Sequence, residues 1–143
     1  MMPEGSGEFE LREIGIVAQK LLEAAGDCKA WLLTGDPGSG KTTLIRAVVT
    51  ALGADPAVVS SPTFAILNDY NTAAGTVHHF DLYRVKNVSE LYDLGMDEYL
   101  DSGEYCLVEW PERLGNLAPS RYFSVHLELT GAQKRKISFA QND

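Results

Sequence analysis

The stretch GDPGSGKTT, Gly35 to Thr43, combines residue types whose spacing suits phosphate chemistry. Gly35, Gly38 and Gly40 let a backbone wrap with its N–H groups turned inward. A helix beginning at the end of the loop adds a dipole that favours negative charge, and together these features make a cradle for a polyphosphate. Lys41 supplies a mobile cation for β and γ phosphates, and Thr42 a hydroxyl suited to Mg²⁺. The full G-x-x-x-x-G-K-T pattern is present, so a nucleotide is expected to lie against Gly35, Asp36, Pro37, Gly38, Ser39, Gly40, Lys41, Thr42 and Thr43.

Hydrolysis needs a second group at the end of a neighbouring buried strand, to hold the metal or its waters. CLVEW places Glu109 directly after Leu107 and Val108, where an unused charge would be costly, and Glu109 is read as the metal-side carboxylate beside Thr42. Asp81, in HHFDLYR, also follows an apolar stretch and could hold a metal-bound or attacking water. Its role and that of Glu109 are not separable at this level, and Lys41, Asp81 and Glu109 stand together as the catalytic set. SSPTF, Ser60 to Phe64, sits where many hydrolases of this kind carry a γ-phosphate-sensing loop, with Thr63 as the sensor. Trp110 either packs beside the site or simply buries ring area. His79 reads as a satisfied strand histidine rather than a base, and Arg84 as a transition-state, interface or surface cation. The run Lys134, Arg135, Lys136 reads as protection of an edge strand rather than as a nucleotide or RNA contact.

These residues need a scaffold that brings them together. LREIGIVAQKLLEAAG carries apolar residues at helical spacing and is closed by Gly26. AWLLT follows as a short buried strand, then the glycine loop, then a helix from about Lys41 to Leu52 ending at Gly53. TFAILNDY and TVHHFDLY, joined by NTAAG, predict an antiparallel hairpin. NVSELYDLGMDEYLDSG predicts one or two short helices capped by Asn87 or Ser89. YCLVEW returns as a buried strand ended by Pro111, and YFSVHLEL with KRKISFA forms a second hairpin turning at Gly131. The expected architecture is a three-layer α/β/α P-loop NTPase fold, with parallel central strands and antiparallel additions, in a single domain spanning residues 1–143.

Composition narrows the setting. Apolar residues are 45% and charged residues 22% of 143, the mixture of a globular domain. No apolar run approaches the roughly 20 residues that span a bilayer, and the acidic, glycine-rich MMPEGSGEFE lacks the pattern of a secretory signal. A cytoplasmic protein with two reduced core thiols, Cys28 and Cys106, is the expectation. The net charge of −8 argues against autonomous nucleic-acid binding.

Taken in order, GDPGSGKTT, SPTF, HFDLYR and LVEWPE closely resemble the bacterial TsaE (YjeE) family, from about Leu11 to the final hairpin. HFDLYR and VEW discriminate far better than the phosphate loop, which unrelated ATPases share. Pro37 and Ser39 depart from the more usual Leu and Ala without removing a phosphate contact. The resemblance implies a small Mg²⁺-dependent ATPase that works with TsaD and TsaB in making N6-threonylcarbamoyladenosine in tRNA. Its ATP hydrolysis would reset that machine between turnovers, and tRNA would be held by the partners. It also implies Thr42 and Glu109 on the metal, Asp81 in the nucleotide site and Thr63 in a switch-like loop. The alternative is a small-molecule P-loop kinase, disfavoured because Arg84, Arg113, Arg121 and Arg135 do not cluster as a lid. A GTPase is disfavoured by the lack of N-K-x-D, and a nucleotide-gated module without useful hydrolysis is the third reading.

Overall fold

A computed structural model describes residues 4–59 and 65–143. Strands β1 (Glu4–Glu10), β2 (Ala30–Thr34), β3 (Leu67–Thr72), β4 (Gly75–Asp81), β5 (Tyr105–Glu109), β6 (Tyr122–Gly131) and β7 (Lys134–Asn142) form one sheet in the order β1-β7-β6-β2-β5-β4-β3. Its centre is parallel: β2 pairs with both β5 and β6, and β4 with β5. The flanks are antiparallel, through β3–β4 on one side and β6–β7–β1 on the other. Because β2, β4 and β5 run the same way, their carboxyl ends share one sheet edge, the place where open α/β sheets bind ligands.

Helices cover both faces. Helix α1 (Ile14–Ala25) and helix α2 (Lys41–Ala51) lie over Trp31, Leu33, Leu107, Phe123, Val125 and Leu127. Trp31 is fully buried, and its indole N–H donates to Cys28 O at 3.0 Å, so the largest core side chain leaves no donor unmet. A single turn, α3 (Pro56–Val59), follows α2. The opposite face packs Leu32, Phe80, Cys106 and Val108 beneath α4 (Ser89–Leu94), α5 (Met96–Asp101) and a 3₁₀ segment, Pro111–Leu117. This second layer covers the β2-β5-β4 half. Over β6 and β7 the same face carries polar alternates such as Ser124, His126 and Lys136, which need no cover. Cys28 and Cys106 are free and buried on opposite faces, and burial pushes the Cys106 thiol up to about 12.

The largest departure from the sequence reading is β1. EGSGEFE is poor in strand-forming residues, yet it pairs along all of its length with β7, setting Glu8 opposite Lys136 and Glu10 opposite Lys134. The run Lys134–Lys136 is therefore interior, not a sheet edge, and its lysines face carboxylates across the strand. Strand β3 begins at Leu67 and continues to Thr72, so the hairpin turn shrinks to Ala73 and Ala74. Thr72 Oγ1 closes it, donating to Gly75 O and accepting from Ala74 N. Neither Asn87 nor Ser89 caps α4, which starts after Val88; Glu90 Oε2 instead accepts from the amides of Lys86 and Asn87.

Buried His78 ties three strands together at the sheet end opposite the glycine loop. Its Nδ1 lies 2.6 Å from Asp69 on β3, and its Nε2 3.1 Å from Glu104, just ahead of β5. Burial works to lower its pKa, but the two carboxylates outweigh burial and hold it above the ordinary 6.5. A raised folded-state value means that the stabilisation is fully present below about 6.5 and is lost as pH rises through the folded value. The melting-temperature difference between wild type and His78→Gln should accordingly be larger at pH 6 than at pH 9. Thermal melts at the two pH values check this, and an equal or inverted difference contradicts it.

Candidate functional site

The parallel centre puts the loop after β2, Asp81 at the end of β4 and Glu109 at the end of β5 along one edge, with Asp81 and Glu109 in register across β4–β5. Helix α2 begins at Lys41 immediately after the loop, so its amino end faces the same space. A cavity of about 480 Å³ opens there, a size suited to a small ligand. Pro37, Gly38, Gly40, Lys41, Thr42 and Thr43 line it from the loop side, and Asp81 and Glu109 from the strands. Gly35 and Asp36 line a smaller hollow of about 170 Å³ that shares Lys41 and Trp110, and Ser39 is buried beneath the loop. Thr63 lies outside the described residues.

Glycine is required at the loop's start. Gly35 has φ +144°, and a Cβ there would meet Leu127 O at 2.6 Å and Ser39 Oγ at 2.7 Å. The Leu127 carbonyl is backbone and cannot step aside as a side chain would. Gly35→Ala should lose about 1–3 kcal/mol of stability and distort the loop. Denaturant unfolding checks the first effect, and a midpoint unchanged from wild type would contradict it. From the other side, Arg135 on β7 holds the loop: it is buried, and its Nε donates to Ser39 O at 2.8 Å. Its Nη1 donates to Gly131 O and Lys134 O, so the guanidinium props the backbone. Alternation along KRKISFA, which puts Arg135 on the face of Ile137, is the signal that could have found it. Leu11 and Tyr83 line the cavity too; Tyr83 stands within HFDLYR but was given no role, and Leu11 lies in no motif.

Lys41 is buried. Its Nζ donates to Gly35 O at 2.5 Å and lies 4.1 Å from the centroid of the Trp110 ring. Trp110 thus packs against the site, with Tyr83 against it at 5.0 Å between ring centres. Among the described residues it is the only non-glycine with positive φ, at 60°. That conformation costs about 1–2 kcal/mol and turns the indole back over the loop.

Glu109 is 3% exposed. Thr42 Oγ1 donates to it, at 3.2 Å from Oε1 and 3.3 Å from Oε2, and His79 Nε2 is 2.6 Å from Oε2. His79 is therefore bonded to the candidate metal-side acid, and its Nδ1 is buried with no hydrogen-bond partner among the described residues. Its position two residues before Asp81, on the same face of β4, was the available signal. Asp81 Oδ1 accepts from Tyr83 N at 3.1 Å, which fixes the turn leaving β4. The donor set of one hydroxyl and carboxylates is hard oxygen and fits Mg²⁺. Among the described residues no cluster of three His, Cys, Asp or Glu side chains could hold a metal. Most of the shell of an ion here would be phosphate and water oxygen, the usual condition for Mg²⁺ with a nucleotide. Among the described residues no helix is long and apolar enough to cross a membrane.

A family model described as threonylcarbamoyl adenosine biosynthesis protein TsaE matches residues 10–137. The chain is 38% identical over 111 residues to the tRNA threonylcarbamoyladenosine biosynthesis protein TsaE of Rickettsia felis, a match covering 78% of this chain and 64% of that protein. The protein of the same name from Rickettsia bellii is 40% identical over 104 residues, covering 73% and 72%. That from Bacillus subtilis is 37% identical over 107 residues, covering 75% and 66%. The matched stretch thus spans about two thirds of the length of these relatives. In fold, the crystal structure of Bacillus subtilis YdiB is similar with a TM-score of 0.76 at 24% identity, covering 100% of this chain and 88% of that one.

Proposed function

The chain belongs to the TsaE family of threonylcarbamoyladenosine biosynthesis proteins, and from that premise we propose that it binds and hydrolyses ATP with Mg²⁺ in the service of tRNA modification. The observation that carries the reading is the hydrogen bond from Thr42 to the buried Glu109 at the mouth of the glycine-loop cavity. It joins a hydroxyl at the amino end of a helix to an acid on the neighbouring strand, the pairing that holds a metal beside a triphosphate. Bound Mg²⁺ would neutralise charge on the β and γ phosphates.

The protein's own part is positioning. Loop amides and the amino end of α2 orient the phosphates, and Lys41 exchanges its contact with Gly35 O for phosphate oxygen. Asp81, aligned with Glu109, is placed to orient a water. Leu11 and Arg135 offer an apolar and a cationic surface at the cavity wall contributed by the N-terminal helical turn and the last hairpin. The kinase alternative lacks support in the arginines: Arg113 donates to Val85 O, Arg121 pairs with Asp27, and Arg135 alone of the described arginines lines this cavity.

In this reading the chain works with TsaD and TsaB, which carry the group transfer and hold the tRNA, and its hydrolysis resets them after each turnover. The net charge of −8 suits a subunit that leaves tRNA to others. Reconstituted tRNA modification by TsaD and TsaB should run for many turnovers with this chain and stall near the first without it. Equal multiple-turnover yield with and without the chain would contradict the proposal.

A further inference from the structure

The link between His79 and Glu109 is not explained by packing. The two are 30 residues apart in sequence and lie on adjacent strands, with His79 in register with Leu107, so the imidazole reaches one pleat along β5 to meet Glu109. Both side chains are nearly sealed from water, at 7% and 4% exposure. An ionised carboxylate can only accept, so His79 Nε2 donates. The second nitrogen, Nδ1, is left buried without a partner among the described residues. An apolar side chain would leave no such orphan there, so what justifies the imidazole is the bond made by Nε2.

We propose that His79 is a positioning residue for metal binding, fixing the Glu109 carboxylate so that it accepts the hydrogen bond from the Thr42 hydroxyl. A hydroxyl has one proton and two lone pairs. While the Thr42 O–H donates to Glu109, the Thr42 lone pairs are free to turn toward the phosphate cradle, where a cation would lie. A Glu109 that swings loose would leave that proton free to point at the cation instead. The inference rests on the ATP reading above and concerns how the metal, rather than the nucleotide, is held.

His79→Gln and His79→Asn separate this role from a structural one. Both are polar amides, but glutamine carries its N–H to about the level of Nε2, whereas asparagine stops at the level of Nδ1. With Mn²⁺ as probe, followed by electron paramagnetic resonance in the presence of ATP, H79N should weaken metal binding about 10-fold or more, the usual effect of losing a partner behind a metal ligand. H79Q should stay close to wild type. ATP binding in EDTA should change less than about twofold in either variant, and H79N should add little to the loss already caused by E109Q. The proposal is overturned if H79N and H79Q hold Mn²⁺ equally well or equally poorly, or if metal-free ATP binding falls in step. Wild type that takes Mn²⁺ and ATP while both variants match it removes only the role of His79. Wild type that binds no ATP removes the nucleotide reading as well.

Discussion

Lys41→Ala should lower ATP hydrolysis by at least about 10²-fold, the usual cost of removing one preorganised donor from developing charge. The residue opens α2 and is buried, with its ammonium on Gly35 O and the face of Trp110. Both partners are neutral. A triphosphate would offer the same ammonium full negative charge, adding the attraction between opposite charges, so on the proposed reading the lysine would move to phosphate. Alanine is the best helix former and keeps the start of α2 intact, so the melting temperature should change little while single-turnover hydrolysis collapses. Hydrolysis within twofold of wild type would show that the reactive phosphate lies elsewhere.

A larger effect is expected from outside the chain. Among the described residues, the cations lining the cavity are Lys41 and Arg135, and Arg135 commits Nε and Nη1 to the carbonyls of Ser39, Gly131 and Lys134. Lys41, held by one carbonyl, would then be the cation freer to follow charge that spreads over a transferred phosphoryl group, with Arg135 tied to three. A cationic group supplied in trans raises hydrolysis on such sites by about 10³–10⁵-fold. The isolated chain should therefore hydrolyse ATP slowly, and TsaD with TsaB should accelerate it by about 10³-fold or more. Steady-state rates measured with and without them decide the matter, and equal rates would count against dependence on these partners.

The parts of the fold and site that were legible are those written in contiguous residues. The glycine loop, its flanking strand and helix, and the acid closing LVE each sit within a few positions of one another, and local spacing was enough to place them. The parts that were not legible depend on pairing across the sheet. Strand β1 contains two glycines and three glutamates in seven residues, and forms because β7 offers it a partner with lysines opposite Glu8 and Glu10. Once β1 is in place, the basic run on β7 becomes interior, which reverses the edge-strand reading, while Arg135 reaches the loop by the same alternation that buries Ile137. The local pattern puts His79 on the face of Asp81, but its partner Glu109 follows only from the β4–β5 register. Trp110 was left between two roles because its left-handed backbone, which swings the indole over Lys41, is set by the turn into Pro111 rather than by residue type.

The proposed activity requires a triphosphate and its metal to lie between the loop amides and Glu109. A crystal structure with Mn²⁺ and a non-hydrolysable ATP analogue, read by anomalous scattering, tests this most directly. The expected result is phosphates wrapped by residues 35–43, with the manganese peak beside Thr42 Oγ1 and the Glu109 carboxylate turned toward it. A metal peak away from Thr42, or phosphates bound outside the loop, would contradict it.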